Sequence, residues 1–186
     1  LGRRPETALR GPTASPILAA AMLVAYALTI FLSAGLLFLV QPMVARMVLP
    51  LLGGSPAVWN TCMVFFQAVL LAGYGYSHLV TTRLRLRGQA AVHLVVLAAA
   101  ALVLPLAVPE GKVPPVSEQP EWWLFGLLAV TAGLPFFVVS TTGPLLQRWF
   151  SWTGHPRASD PYFLYAASNL GSVIGLLAYP VALEPA

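Results

Sequence analysis

Residues 17–40 read ILAAAMLVAYALTIFLSAGLLFLV, a run without one Asp, Glu, Lys or Arg. A helix crossing the hydrocarbon core of a bilayer needs about 20 mostly apolar residues, and this stretch is longer than that. Outward from it, residues 57–80, 90–108, 122–141 and 162–181 have the same character. The sequence therefore predicts an all-α, polytopic integral membrane protein with about five transmembrane helices. These fill one domain, 17–186, behind a polar, proline-bearing tail, 1–16, expected to be mobile.

Composition excludes the alternatives. Of 186 residues, 58% are hydrophobic and 9% charged, against about 45–50% and about 25% in soluble domains. Mean hydropathy is +0.79. Six acids and ten bases are too few to cover a soluble globule of this size. Disorder is excluded by the apolar content, and a disulfide scaffold by the single cysteine, Cys62, which reads as packing. Arg3 and Arg4 precede the first apolar run, but that run is too long for a signal-peptide core and no small-residue cleavage site follows. Span one reads as a retained helix.

Charge reports orientation. Nine of the ten bases are arginine, and they sit in short connections. With the N-terminus inside, Arg3, Arg4, Arg10, Arg83, Arg85, Arg87, Arg148 and Arg157 fall on the inner side, and only Arg46 and Lys112 on the outer. Cytoplasmic loops carry the excess of Lys and Arg, so the expectation is N-in, C-out, multi-pass in a bacterial inner (cytoplasmic) membrane. Trp122 and Trp123 mark the outer boundary, and Trp149 and Trp152 the inner one. Without aromatic-and-basic interleaving, nucleic acid is not an expected partner.

No charged residue sits in the middle of a span, which counts against a proton-driven transporter acting alone. Polar seams do occur. Asn60, Gln67 and Tyr74 are spaced by seven, with His78 one turn on. Span one shows Tyr26, Thr29 and Ser33, and span five shows Tyr165, Ser168, Asn169, Ser172 and Tyr179. Such residues either hydrogen-bond helices together or line a cleft for a hydrophilic ligand. Ala167, Gly171 and Gly175 recur every four residues, the small-residue spacing that lets two helix backbones approach closely.

Two segments break the pattern. Residues 41–56, QPMVARMVLPLLGGSP, and 140–150, STTGPLLQRWF, each combine proline, glycine and arginine. They read as short interfacial or re-entrant pieces. His78 and His93 flank the basic turn VTTRLRLRGQ and are the candidate ligands for a haem, chlorophyll or metal. More often such residues are interfacial, and they lack supporting carboxylates. No metal site and no cofactor are therefore expected. No nucleophile–base pair, phosphate loop or nucleotide-binding glycine fingerprint is present.

Four segments together carry a family resemblance: FLSAGLLFLVQPMVARMVLPLLGGSPAVWNTCMVFFQ (31–67), LLAGYGYSHL (70–79), LPFFVVSTTGPLLQRWF (134–150) and SDPYFLYAASNLGSVIGLLAYPVALEP (159–185). Over nearly everything but the tail, the chain resembles the membrane region of bacterial fused MFS/spermidine synthases. In that family, membrane helices are joined to a cytosolic aminopropyltransferase-like domain. The glycine-rich turn and catalytic aspartate of that domain are not found here, so the chain is expected to be non-catalytic. The resemblance implies a module that anchors a partner or handles a small polar metabolite. The bilayer and further membrane subunits, or missing helices of a longer parent, are the implied partners. A different class also fits the residues: an accessory structural subunit of a larger respiratory or photosynthetic complex.

Overall fold

The computed structural model describes residues 15–107 and 120–183, and among these every regular element is helical. The elements are α1 (Pro16–Val48), α2 (Pro56–Arg83), α3 (Leu86–Ala101), α4 (Pro120–Leu128), α5 (Leu134–Ser151) and α6 (Tyr162–Ala178). A 3-10 turn, Leu49–Leu52, follows α1, and π-helical turns occupy Ala129–Gly133 and Tyr179–Leu183. The expected tail up to residue 14, and most of the acidic connection after residue 107, lie outside the described residues.

Among the described residues, four helical runs are long and apolar enough to cross a membrane: Pro16–Leu52, Pro56–Arg83, Pro120–Ser151 and Tyr162–Leu183. Their outward faces are apolar too. Leu71 and Val130 are 72% and 68% exposed, a placement that lipid accepts and water opposes. The third expected span differs. Its helix begins earlier, at Leu86, and ends at Ala101 after 16 residues, about 24 Å of rise. Leu102–Ala107 leaves the helix instead of extending it to residue 108.

The helices do not break at either proline. Pro42 lies inside α1, and Pro144 lies inside α5. A proline within a helix removes one backbone donor. Ending the helix in hydrocarbon would strand several backbone groups instead, so continuity is the cheaper solution. Residues 41–56 are thus the last turns of α1, a 3-10 turn and the start of α2. The reversal falls at Gly53 and Gly54, whose φ angles of 77° and 66° are left-handed, a region open to glycine at little cost. Ser55 then caps α2, its side chain accepting from the Val58 N–H, with Pro56 at the first helical position. Ser15 and Pro16 start α1 in the same way.

Contacts fix the relative directions. Ser33 of α1 meets Val139 of α5, while Tyr26 stacks on Phe150, so these helices are antiparallel. Along α2 and α5, Phe66 meets Phe136 and Ser77 meets Thr141, so this pair is parallel. On α1 and α6, Phe31 faces Gly171 and Gly35 faces Gly175, again parallel. Two apolar clusters close the bundle. One gathers Val48, Cys62, Phe65, Phe66, Leu124, Leu128 and Phe136 where α1 ends and α2 and α4 begin. The other, Ile30, Phe150 and Leu164 with Tyr26 and Phe163, sits where α5 ends and α6 begins.

Candidate functional site: a polar cleft between the helices

Between the two apolar clusters, a cleft of about 350 Å³ opens among α1, α2, α5 and α6. Its polar wall consists of Ser33, Tyr74, Ser140, Gln147, Tyr165 and Ser168, and none of these carries a charge. Two of the hydroxyls are committed to the protein. Ser33 Oγ donates to the Val139 carbonyl at 2.9 Å, tying α1 to α5. Ser140 Oγ donates to the Phe137 carbonyl at 2.7 Å. The side chains of Tyr74 and Tyr165, each 50% exposed, and of the half-buried Gln147 have no hydrogen-bond partner among the described residues. In low-dielectric surroundings an unmatched amide or hydroxyl is costly, and these three groups retain both donor and acceptor capacity for a ligand.

Gly143 and Pro144 line the cleft from α5. Proline at 144 has no N–H to donate to the Ser140 carbonyl, so one helical acceptor beside the cleft lacks its usual donor. Behind this wall α2 and α5 touch closely. A Cβ on Gly73 would run into Ser140 Oγ. Ser77 Oγ donates to the Gly73 carbonyl at 2.9 Å and reaches the Thr141 carbonyl at 3.4 Å.

The residues singled out in the sequence divide among different places. Tyr74 and Ser168 line the cleft. Ser172 is half-buried, its hydroxyl donating to the Ser168 carbonyl at 3.0 Å. Asn60, Gln67 and Asn169 are exposed on the outer faces of α2 and α6, away from the cleft. Heptad spacing places residues on one face of a helix but leaves open which way that face turns. Gly171 and Gly175 are buried against α1: a Cβ on the first would collide with the Phe31 carbonyl, and on the second with the Gly35 carbonyl. Ala167 lies one turn earlier on α6 and is half-buried.

The two histidines have separate surroundings. His93, buried on α3, has its ring 6.2 Å from those of Tyr76 and Trp149. His78 lines an open groove on α2 with Arg148. Among the described residues no three of His, Cys, Asp and Glu gather as metal ligands. Around His93 lies a polar knot that sequence reading missed. Gln89, only 1% exposed, accepts from the Trp149 indole N–H at 2.7 Å and donates to the Leu84 carbonyl at 2.9 Å. This fastens the start of α3 to the end of α5.

Sequence reading also missed Ser140 and Gln147, having placed them in an interfacial or re-entrant piece. Their signal was present: Ser140, Pro144 and Gln147 follow one another at helical spacing. Compared with protein-family models, curated proteins and solved structures, the chain matches none.

Proposed function

We propose that this chain is a non-catalytic transmembrane module that takes a small polar metabolite into the cleft between α1, α2, α5 and α6. One observation carries the reading: an uncharged cavity among apolar helices, with Tyr74, Gln147 and Tyr165 unpartnered along its wall. Polar groups used only as glue find partners in neighbouring helices. The resemblance to the membrane region of fused MFS/spermidine synthases points the same way, toward a module that serves a partner domain. We further propose five crossings with the N-terminus inside a bacterial cytoplasmic membrane. The excess of arginine on that side supports the orientation. The parallel course of α2 and α5 supports the count, because the chain between them has to return across the bundle.

A second reading, an accessory structural subunit of a larger respiratory or photosynthetic complex, is favoured by Asn60, Gln67 and Asn169. These exposed amides have no partner among the described residues, and in lipid they call for further membrane helices or subunits.

Thermal unfolding in mild detergent separates the two. A panel of nucleosides, sugars and polyamines is tested on the wild-type chain and on Gln147→Leu, which keeps side-chain bulk and removes the amide. The cleft reading expects a ligand that raises the Tm of the wild type and not of the variant. No shift anywhere in the panel replaces it with the structural-subunit reading.

A further inference from the structure

A second groove, of about 440 Å³, opens between the last turns of α2 and α5. It is walled by Tyr74, His78, Thr81, Thr82, Pro144 and Arg148, and no acidic residue lines it. Tyr74 and Pro144 also line the cleft, so the two spaces adjoin across these side chains. The chemistry changes along this path. The cleft is neutral, whereas the groove holds a guanidinium, an imidazole and two threonines.

We infer that the groove is an anion subsite, built for a phosphate-type group at the end of a ligand whose neutral polar part occupies the cleft. The inference rests on the cleft reading for the neutral part only. Arg148 supplies a fixed positive charge in a planar fork suited to phosphate oxygens. Its guanidinium lies over the Trp152 ring, 4.9 Å from the centroid, a contact that restrains the long side chain. His78 adds a ring N–H donor.

One feature opposes an anion here: helix C-termini carry partial negative charge, and the groove lies near two of them. The threonines add no free donor: Thr82 Oγ1 donates to the His78 carbonyl and Thr81 Oγ1 to the Ser77 carbonyl, both at 2.7 Å, so the full charge of the guanidinium has to outweigh these partial charges. Tyr74 to Thr82 spans eight residues, about 12 Å of helix, which sets the scale of the ligand: a small phosphomonoester. A phospholipid headgroup offers the same chemistry from the bilayer, where basic pockets between helices take such groups.

The test uses the full chain in uncharged detergent, with inorganic phosphate as the probe against chloride at matched ionic strength. Phosphate is expected to raise the Tm by a few degrees, since a ligand of the folded state stabilises it. Arg148→Gln is expected to abolish the rise, and Arg148→Lys to keep part of it. Arg157→Gln leaves it intact, because that guanidinium sits beside Phe163 and outside the groove. Gln147→Leu, which disables the cleft, also leaves the phosphate response intact, so the two readings fail separately. A parallel arm compares phosphatidylglycerol with phosphatidylcholine nanodiscs. An Arg148-dependent rise with phosphatidylglycerol alone keeps the anion site, assigns it to a lipid headgroup and overturns the link to the cleft. Equal responses in wild type and Arg148→Gln, or no response to either source, overturn the subsite.

Discussion

The α1–α6 and α2–α5 crossings are both parallel and both centred on glycine, yet backbone stands behind one and side chains behind the other. At α1–α6, a Cβ on Gly171 meets the Phe31 carbonyl and lies 2.9 Å from its carbon, and a Cβ on Gly175 meets the Gly35 carbonyl. Nothing there can rotate aside. At α2–α5, a Cβ on Gly73 meets Ser140 Oγ first, with Ser140 Cβ at 3.1 Å and its backbone carbon at 3.4 Å. The first crossing is a fixed seam of main chain. The second is an adjustable seam of hydroxyls, and it is the one that backs both the cleft and the basic groove.

The largest effect that would sharpen this contrast is expected from Gly171→Ala. Alanine gains about 1 kcal/mol of helix propensity over glycine. Overpacking against backbone costs about 1–3 kcal/mol, occasionally more, and here the helices themselves have to separate. A clear drop in Tm in detergent is expected, and an unchanged Tm would contradict the close seam. Gly73→Ala comes next. Its propensity gain offsets part of the clash, because Ser140 Oγ can turn away and leaves only the tight 3.1 Å approach of Ser140 Cβ, so a smaller loss is expected. The double variant Gly73→Ala/Ser140→Gly should recover stability by removing the obstructing side chain. Failure to recover would show that backbone also limits the second crossing. The smallest effect belongs to Ser77→Ala. It removes a hydroxyl that already bonds within its own helix, and interhelical bonds in membranes average about 0.6 kcal/mol. A loss well above that, measured the same way, would make the hydroxyl seam a principal support of the fold.

Much of the architecture is legible before any coordinates, because length and apolarity are all that lipid demands of a crossing helix. Residues 17–40 announce themselves by that criterion alone. Pro42 and Pro144 mislead because the rule that proline ends a helix assumes water is present to receive the freed backbone. In the bilayer the helix continues, and Ser140, Pro144 and Gln147 then share a surface that a broken segment would have scattered. The four-residue spacing of Ala167, Gly171 and Gly175 is visible in the sequence. Its counterpart at Phe31 and Gly35 is not, since nothing local says which distant helix will present its backbone. Asn60, Gln67 and Asn169 show the same limit. Periodicity gathers side chains on a face, but only packing decides whether that face turns inward.

The α1–α6 seam has a consequence for biogenesis. Gly35 and Gly171 are separated by 136 positions in the chain, which at about 5–20 residues per second takes a ribosome roughly 7–27 s to translate. During that interval α1 has been synthesised and α6 has not, so the glycine notch of α1 has no resident neighbour. Lipid or the insertion machinery has to shelter it until α6 arrives. Closing the seam therefore has to wait until the whole stretch from α1 to α6 has been made.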